Sequence, residues 1–150
     1  MIQRVQSVYL FFVAILMLAT PFFQVMGFRP DESSICTLSL FSLGAYSFLP
    51  DFVSPAFSLI AGIMALATIF LYKKRKLQVK LCYWILVLIV FLYMSILYSY
   101  TGLVSTMSDG VTFFPKVALA FPAIALILDS MAIAGIKNDE KIVSSLDRLR

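Results

Sequence analysis

Asp129 is the residue whose type and position could do chemistry. It stands in the apolar run Ala125-Leu126-Ile127-Leu128-Asp129-Ser130-Met131-Ala132, eight residues before Lys137. On a helix that spacing places it about 12 Å inside the end of the segment. An ionisable group at such depth is costly and reads by default as functional: a proton relay, a cation site or a contact with a partner subunit. The competing reading is a carboxyl satisfied by a Tyr or Ser hydroxyl on a neighbouring helix. No second carboxylate or cation stands at matching depth, because Lys116 lies thirteen positions earlier, roughly 20 Å along the same helix.

Other chemistries lack their parts. The chain has no His, which removes the commonest general base and metal ligand. A Ser, Cys or Thr nucleophile needs an activating base, and no Lys or carboxylate stands beside a Ser in an elbow-type motif. No glycine loop is spaced to cradle phosphate, and no run has metal-ligand spacing. Asp31-Glu32 and Asp139-Glu140 are adjacent acids. Neighbours on a helix do not face each other, so these read as solvated or capping residues. Cys36 and Cys82 read as small apolar fillers. The expectation is a protein that is not an enzyme, with no cofactor and no metal.

The elements that position Asp129 follow from composition. Of 150 residues, 61% are hydrophobic and 13% charged, against about 45–50% and 25% in an ordinary soluble domain. A soluble fold of this length could not bury so much apolar surface. The net charge of +4 does not point to nucleic acid, since the cations cluster at the ends of apolar segments, where they act as topology signals and contacts to anionic headgroups.

The strongest such cluster is Lys73, Lys74, Arg75, Lys76 and Lys80. Each of these at a bilayer centre would cost roughly 2.5–3.5 kcal/mol, so residues 73–80 are expected to stay in the cytoplasm as a loop and to touch anionic lipid. Around this loop the hydropathy divides the chain as a single membrane domain, 1–150. The first span covers 8–26, with Pro21 kinking or ending its outer third. An outer loop at 27–53 follows. Within it Ile35 to Leu43 partly alternates apolar and hydroxyl residues, as a half-buried strand would, and a small β-hairpin turning at Gly44 towards Tyr46 and Phe48 is expected. The second span, 54–72, opens on Ser54 and Pro55, where a proline is well placed. Its small residues Ser58, Ala61, Gly62, Ala65 and Thr68 allow close helix approach.

The third span, 81–100, carries Tyr93 deep enough to need a partner for its hydroxyl. An outer loop at 101–114 has Gly102, Asp109 and Gly110 as breakers. The fourth span, 115–136, starts at Pro115. Wrapped on a helix, Ala118, Pro122, Ala125, Asp129, Ala132 and Ile136 share one stripe, which should face the bundle, with Pro122 interrupting the hydrogen-bond ladder before Asp129. The tail, 137–150, has Ile142, Val143, Leu146 and Leu149 on one face and reads as a cytoplasmic amphipathic helix. Its mixed charges suit a protein partner as well as the membrane surface.

Counting cations near the span ends gives ten on one side (Arg4, Lys73, Lys74, Arg75, Lys76, Lys80, Lys137, Lys141, Arg148, Arg150) and two, Arg29 and Lys116, on the other. This bias places both termini and the basic loop in the cytoplasm. An even number of spans independently requires both termini to share a side.

Three segments carry a resemblance: the opening Met1-Ile2-Gln3-Arg4-Val5-Gln6-Ser7-Val8-Tyr9-Leu10, the middle Leu71-Tyr72-Lys73-Lys74-Arg75-Lys76-Leu77-Gln78, and the close Lys137 to Arg150. Together they resemble a bacterial family of small four-span membrane proteins known as a domain of unknown function. At the tail that family usually reads Lys-Asp-Glu-x-Leu-Val-Arg-Ser-x-Asp-Arg-Leu-Arg. Here Asn138 is an insertion-like departure, and Ser144 stands where Arg is usual. The resemblance implies an inner-membrane protein without an assigned reaction, and no catalytic residue carries over. The expected architecture is an all-α bundle of four transmembrane helices, both ends cytoplasmic. The expected role is scaffolding or modulating a membrane partner, with a small transporter or proton-linked channel built around Asp129, as a homo-oligomer, the second reading.

Overall fold

The computed structural model describes residues 3–31, 34–43, 52–71, 74–106 and 112–148. Four long helices dominate: α1 (Gln3–Ala19), α3 (Val53–Phe70), α4 (Arg75–Thr106) and α5 (Ala120–Arg148), with a single short turn of helix, α2 (Leu40–Leu43), between the first two. Each of the four is long and apolar enough to cross a membrane. They close a ring in which α1 packs on α3 and α5, and α4 packs on the same two helices from the other side. Along the ring's axis Val13, Ala14, Met17, Ala61, Ala65, Ile85, Ile89, Leu92 and Ala125 are wholly buried in one core. Facing outward are Phe11, Phe12, Ile15, Ile63, Trp84, Val90, Phe91, Leu97 and Ile127. A helix bundle that presents large apolar side chains all round is built for a solvent of hydrocarbon.

Both small-residue stripes read from the sequence face inward. Ser58, Ala61, Gly62, Ala65 and Thr68 of α3 are buried, and so are Ala118, Pro122, Ala125, Asp129, Ala132 and Ile136 on the fourth helical segment. Hydroxyls in this interior find partners. Ser58 Oγ donates to the Met17 carbonyl of α1, and the hydroxyls of Ser54 and Ser95 bond across α3 and α4. Thr20 and Thr68 donate to carbonyls four residues back, each at 2.7 Å. The Tyr93 hydroxyl donates to the Leu119 carbonyl at 2.9 Å, so the partner it needs is backbone.

Several boundaries differ from the sequence reading. The first span ends early. α1 stops at Ala19, Thr20–Phe22 is a 3-10 turn holding Pro21, and Gln24–Asp31 is strand β1. Pro21 lacks the N–H that would continue the ladder, and an apolar run such as Val25 to Phe28 serves a strand as well as a helix. β1 forms the centre of a three-stranded antiparallel sheet, between β2 (Ser34–Ser39) and β3 (Thr112–Pro115). Gly27 faces Thr37 on one side and Phe114 on the other. The hairpin is therefore real but uses β1 and β2. The strand expected through Leu43 ends at Ser39 and passes into α2, and the expected turn at Gly44 towards Tyr46 and Phe48 lies outside the described residues.

The basic loop is shorter than expected, because Arg75 through Lys80 are already helical. At 32 residues, α4 is about 48 Å long, longer than a hydrocarbon core of about 30 Å. Gly102 stays inside the helix and breaks nothing; its intrinsic cost of about 1 kcal/mol is overridden by packing on Leu103, which is buried. Asp109 and Gly110 lie outside the described residues. Pro115 does not start the fourth span. It ends β3, an edge strand, where a missing N–H is tolerated. The Lys116 N–H donates to the Val25 carbonyl at 3.0 Å, and a 3-10 turn, Val117–Leu119, leads into α5. Pro122 then falls in the first turn of α5, where no intrahelical partner is lost, so the expected interruption is absent. The tail is no separate helix either, since α5 runs unbroken to Arg148; no proline follows Ile136 to stop it.

Candidate functional site

α5 carries Asp129 to the bundle interior because positions 125, 129, 132 and 136 repeat with helical period on the buried face. The residue is 0% exposed. Below it, towards the end where α5 finishes, Ala132, Ile133 and Ile136 pack with Leu10 of α1 and Cys82 of α4. Tyr9, Ile69, Val79 and Leu86 close the periphery of this cluster. The Cys82 thiol lies beside the Asp129 carboxyl, close enough for the two groups to interact. Among the described residues, the two Asp129 oxygens are the buried side-chain polar atoms left without a partner. An orphaned polar group in a dry interior costs about 1–3 kcal/mol, and a charged one far more. The satisfying Tyr or Ser that one sequence reading supplied is thus not found among these residues.

Chemically, the site offers one carboxyl and one thiol in an apolar cage. Among the described residues no group of three His, Cys, Asp or Glu comes together. What the site can do is hold, release or exchange a proton.

Cys82 was legible only as a filler. With the basic loop read as ending at Lys80, Cys82 falls at the membrane edge. With α4 starting at Arg75, it lies seven residues in, about 10 Å, and comes level with Asp129. The missing signal was the packing of α4 against α5, which no local pattern carries.

A second constellation forms at the end of the bundle away from the sheet. Gln6 Nε2 of α1 donates to Asp139 Oδ2 of α5 at 2.7 Å, and Arg75 of α4 donates to the Asp139 carbonyl at 3.3 Å. Lys137 Nζ donates to the Tyr83 hydroxyl at 2.6 Å and lies over that ring, 5.1 Å from its centroid. α1 and α5 run close here, since a Cβ on Gly135 would stand 3.0 Å from Gln6 Cγ. Of the five cations singled out in the sequence, Arg75 joins this cluster, Lys74, Lys76 and Lys80 are exposed around it, and Lys73 lies outside the described residues. The three segments that carry the sequence resemblance thus meet in space, joined through Gln6, Arg75 and Asp139.

No curated protein and no solved structure matches the chain. Residues 2–149 match the model of one family, described as Domain of unknown function (DUF4293), and the chain belongs to that family.

Proposed function

We propose that this is a bacterial inner-membrane protein with four spans, both termini and the basic segment in the cytoplasm, that acts without catalysis as a scaffold or modulator of a membrane partner. The observation that carries the reading is the polar knot at one end. Gln6, Arg75 and Asp139 tie three chain segments together, and Lys74, Lys76 and Lys80 stand exposed beside it. Those cations favour the cytoplasmic side. The wholly buried apolar axis of the ring supports a solid body that presents a surface, since a conduit needs a polar lining.

The experiment is co-purification in mild detergent of the parent and of Asp139→Arg, which opposes Arg75 and removes the acceptor of Gln6. A specific membrane partner recovered with the parent and lost with the variant is the expected result. Recovery of no specific partner with the parent overturns the reading. The orphaned Asp129 carboxyl favours a second reading, a proton-linked transport component. Flux in proteoliposomes that Asp129→Asn abolishes would establish it, and no flux in either protein removes it.

A further inference from the structure

We propose that the cleft between the turn after α1 and the start of α5 binds one anionic phospholipid, its phosphate at Lys116 and its acyl chains on Phe22, Phe23, Val117 and Phe121. The cleft has a volume of about 400 Å³, and Gln24 and Lys116 are its polar lining. Their backbones are held near each other, because the Lys116 N–H is bonded to the carbonyl of Val25, next to Gln24. The Phe121 ring meets Phe23 edge-on, with centroids 5.7 Å apart. The lining thus joins two polar residues to an aromatic and aliphatic wall, which suits an amphiphile better than a free anion.

Its walls also face the bilayer. Phe22 is 73% exposed and Val117 78%, and both adjoin segments apolar enough to cross a membrane. Hydrocarbon must cover them, so the occupant comes from the surrounding lipid. The Lys116 ammonium lies over the Phe114 ring, 5.3 Å from the centroid. A ring face supplies no counter-charge, and an anionic headgroup would. The small cost of tethering favours the same result: β3 and the Lys116–Val25 bond fix the backbone that carries the cation.

The test is a lipid titration of the full chain in mild detergent, read by native mass spectrometry, with phosphatidylglycerol and phosphatidylcholine of identical chains. One phosphatidylglycerol is expected to bind in preference to phosphatidylcholine by about 5-fold, the share of one interfacial cation. Lys116→Gln should abolish the preference, Lys116→Arg should restore it, and Phe23→Ala should weaken both lipids alike. Lys76→Gln and Lys80→Gln are carried in every protein of the series, because those cations are themselves expected to touch anionic lipid. Helicity and elution volume show that each variant is folded. The proposal is overturned if folded Lys116→Gln keeps the preference, or if inorganic phosphate displaces the lipid, which would make the site a simple anion site.

Discussion

Isoleucine at Gly62 is expected to part α1 from α3 and unfold the bundle at a markedly lower temperature than the parent. Gly62 sits in the buried small-residue stripe of α3, where α1 comes closest. A Cβ there would stand 2.7 Å from Leu18 Cγ, 2.9 Å from Leu18 Cδ2 and 3.3 Å from the Leu18 backbone nitrogen. A leucine tip could rotate away, but a backbone atom cannot. Even Gly62→Ala should therefore cost about 1–3 kcal/mol, the usual range for overpacking, and isoleucine more. Neighbouring cross-helix bonds should suffer too, since Ser58 on α3 donates to Met17 on α1, one residue from Leu18. Combining Gly62→Ala with Leu18→Ala should recover part of the loss, a coupling expected of residues in contact. Thermal unfolding in detergent, followed by helicity, checks all three. An unchanged midpoint for Gly62→Ile would mean that the two helices are not packed as described.

Asp129→Val should act in the opposite direction. Among the described residues the carboxyl oxygens lack a conventional hydrogen-bond partner, and their polar neighbour is the weakly donating Cys82 thiol. Its neighbourhood, with Leu10, Cys82, Ala132 and Ile133, is apolar, and valine fills similar space. Removing an unsatisfied buried polar group relieves about 1–3 kcal/mol, so the variant should unfold at or above the parental temperature. A residue kept at a cost to stability belongs to function. Whatever activity the protein is found to have, partner recovery or flux, should then fall in Asp129→Val while stability does not. A clear loss of stability would instead reveal a structural partner for the carboxyl.

How much of this was visible in the chain can be judged residue by residue. Four apolar stretches and their charged borders are local properties, so the helices and their number follow from composition and hydropathy. The inward stripes of α3 and α5 follow from the helical period alone, and Asp129 fell on its stripe for that reason. The sheet is different. Met26 pairs with Pro115 and Arg29 with Thr112, contacts between distant parts of the chain that leave no local signature. Val25 and Met26 were drawn into the first span because hydropathy does not tell a buried strand from a helix. The charged helix starts were misplaced for a related reason. A run of cations disfavours hydrocarbon but does not disfavour a helix, and α4 begins at Arg75. The knot of Gln6, Arg75 and Asp139 unites three segments whose meeting only the assembled ring displays.

The central claim, that the basic start of α4 faces the cytoplasm and the sheet faces outward, is tested most directly by impermeant maleimide labelling. In a background with Cys36 and Cys82 replaced, single cysteines are placed at Lys76, exposed on α4, and at Thr112, exposed on β3. Intact spheroplasts should label Thr112→Cys at once and Lys76→Cys only after lysis. Labelling of Lys76→Cys from outside, with Thr112→Cys protected until lysis, would contradict the account.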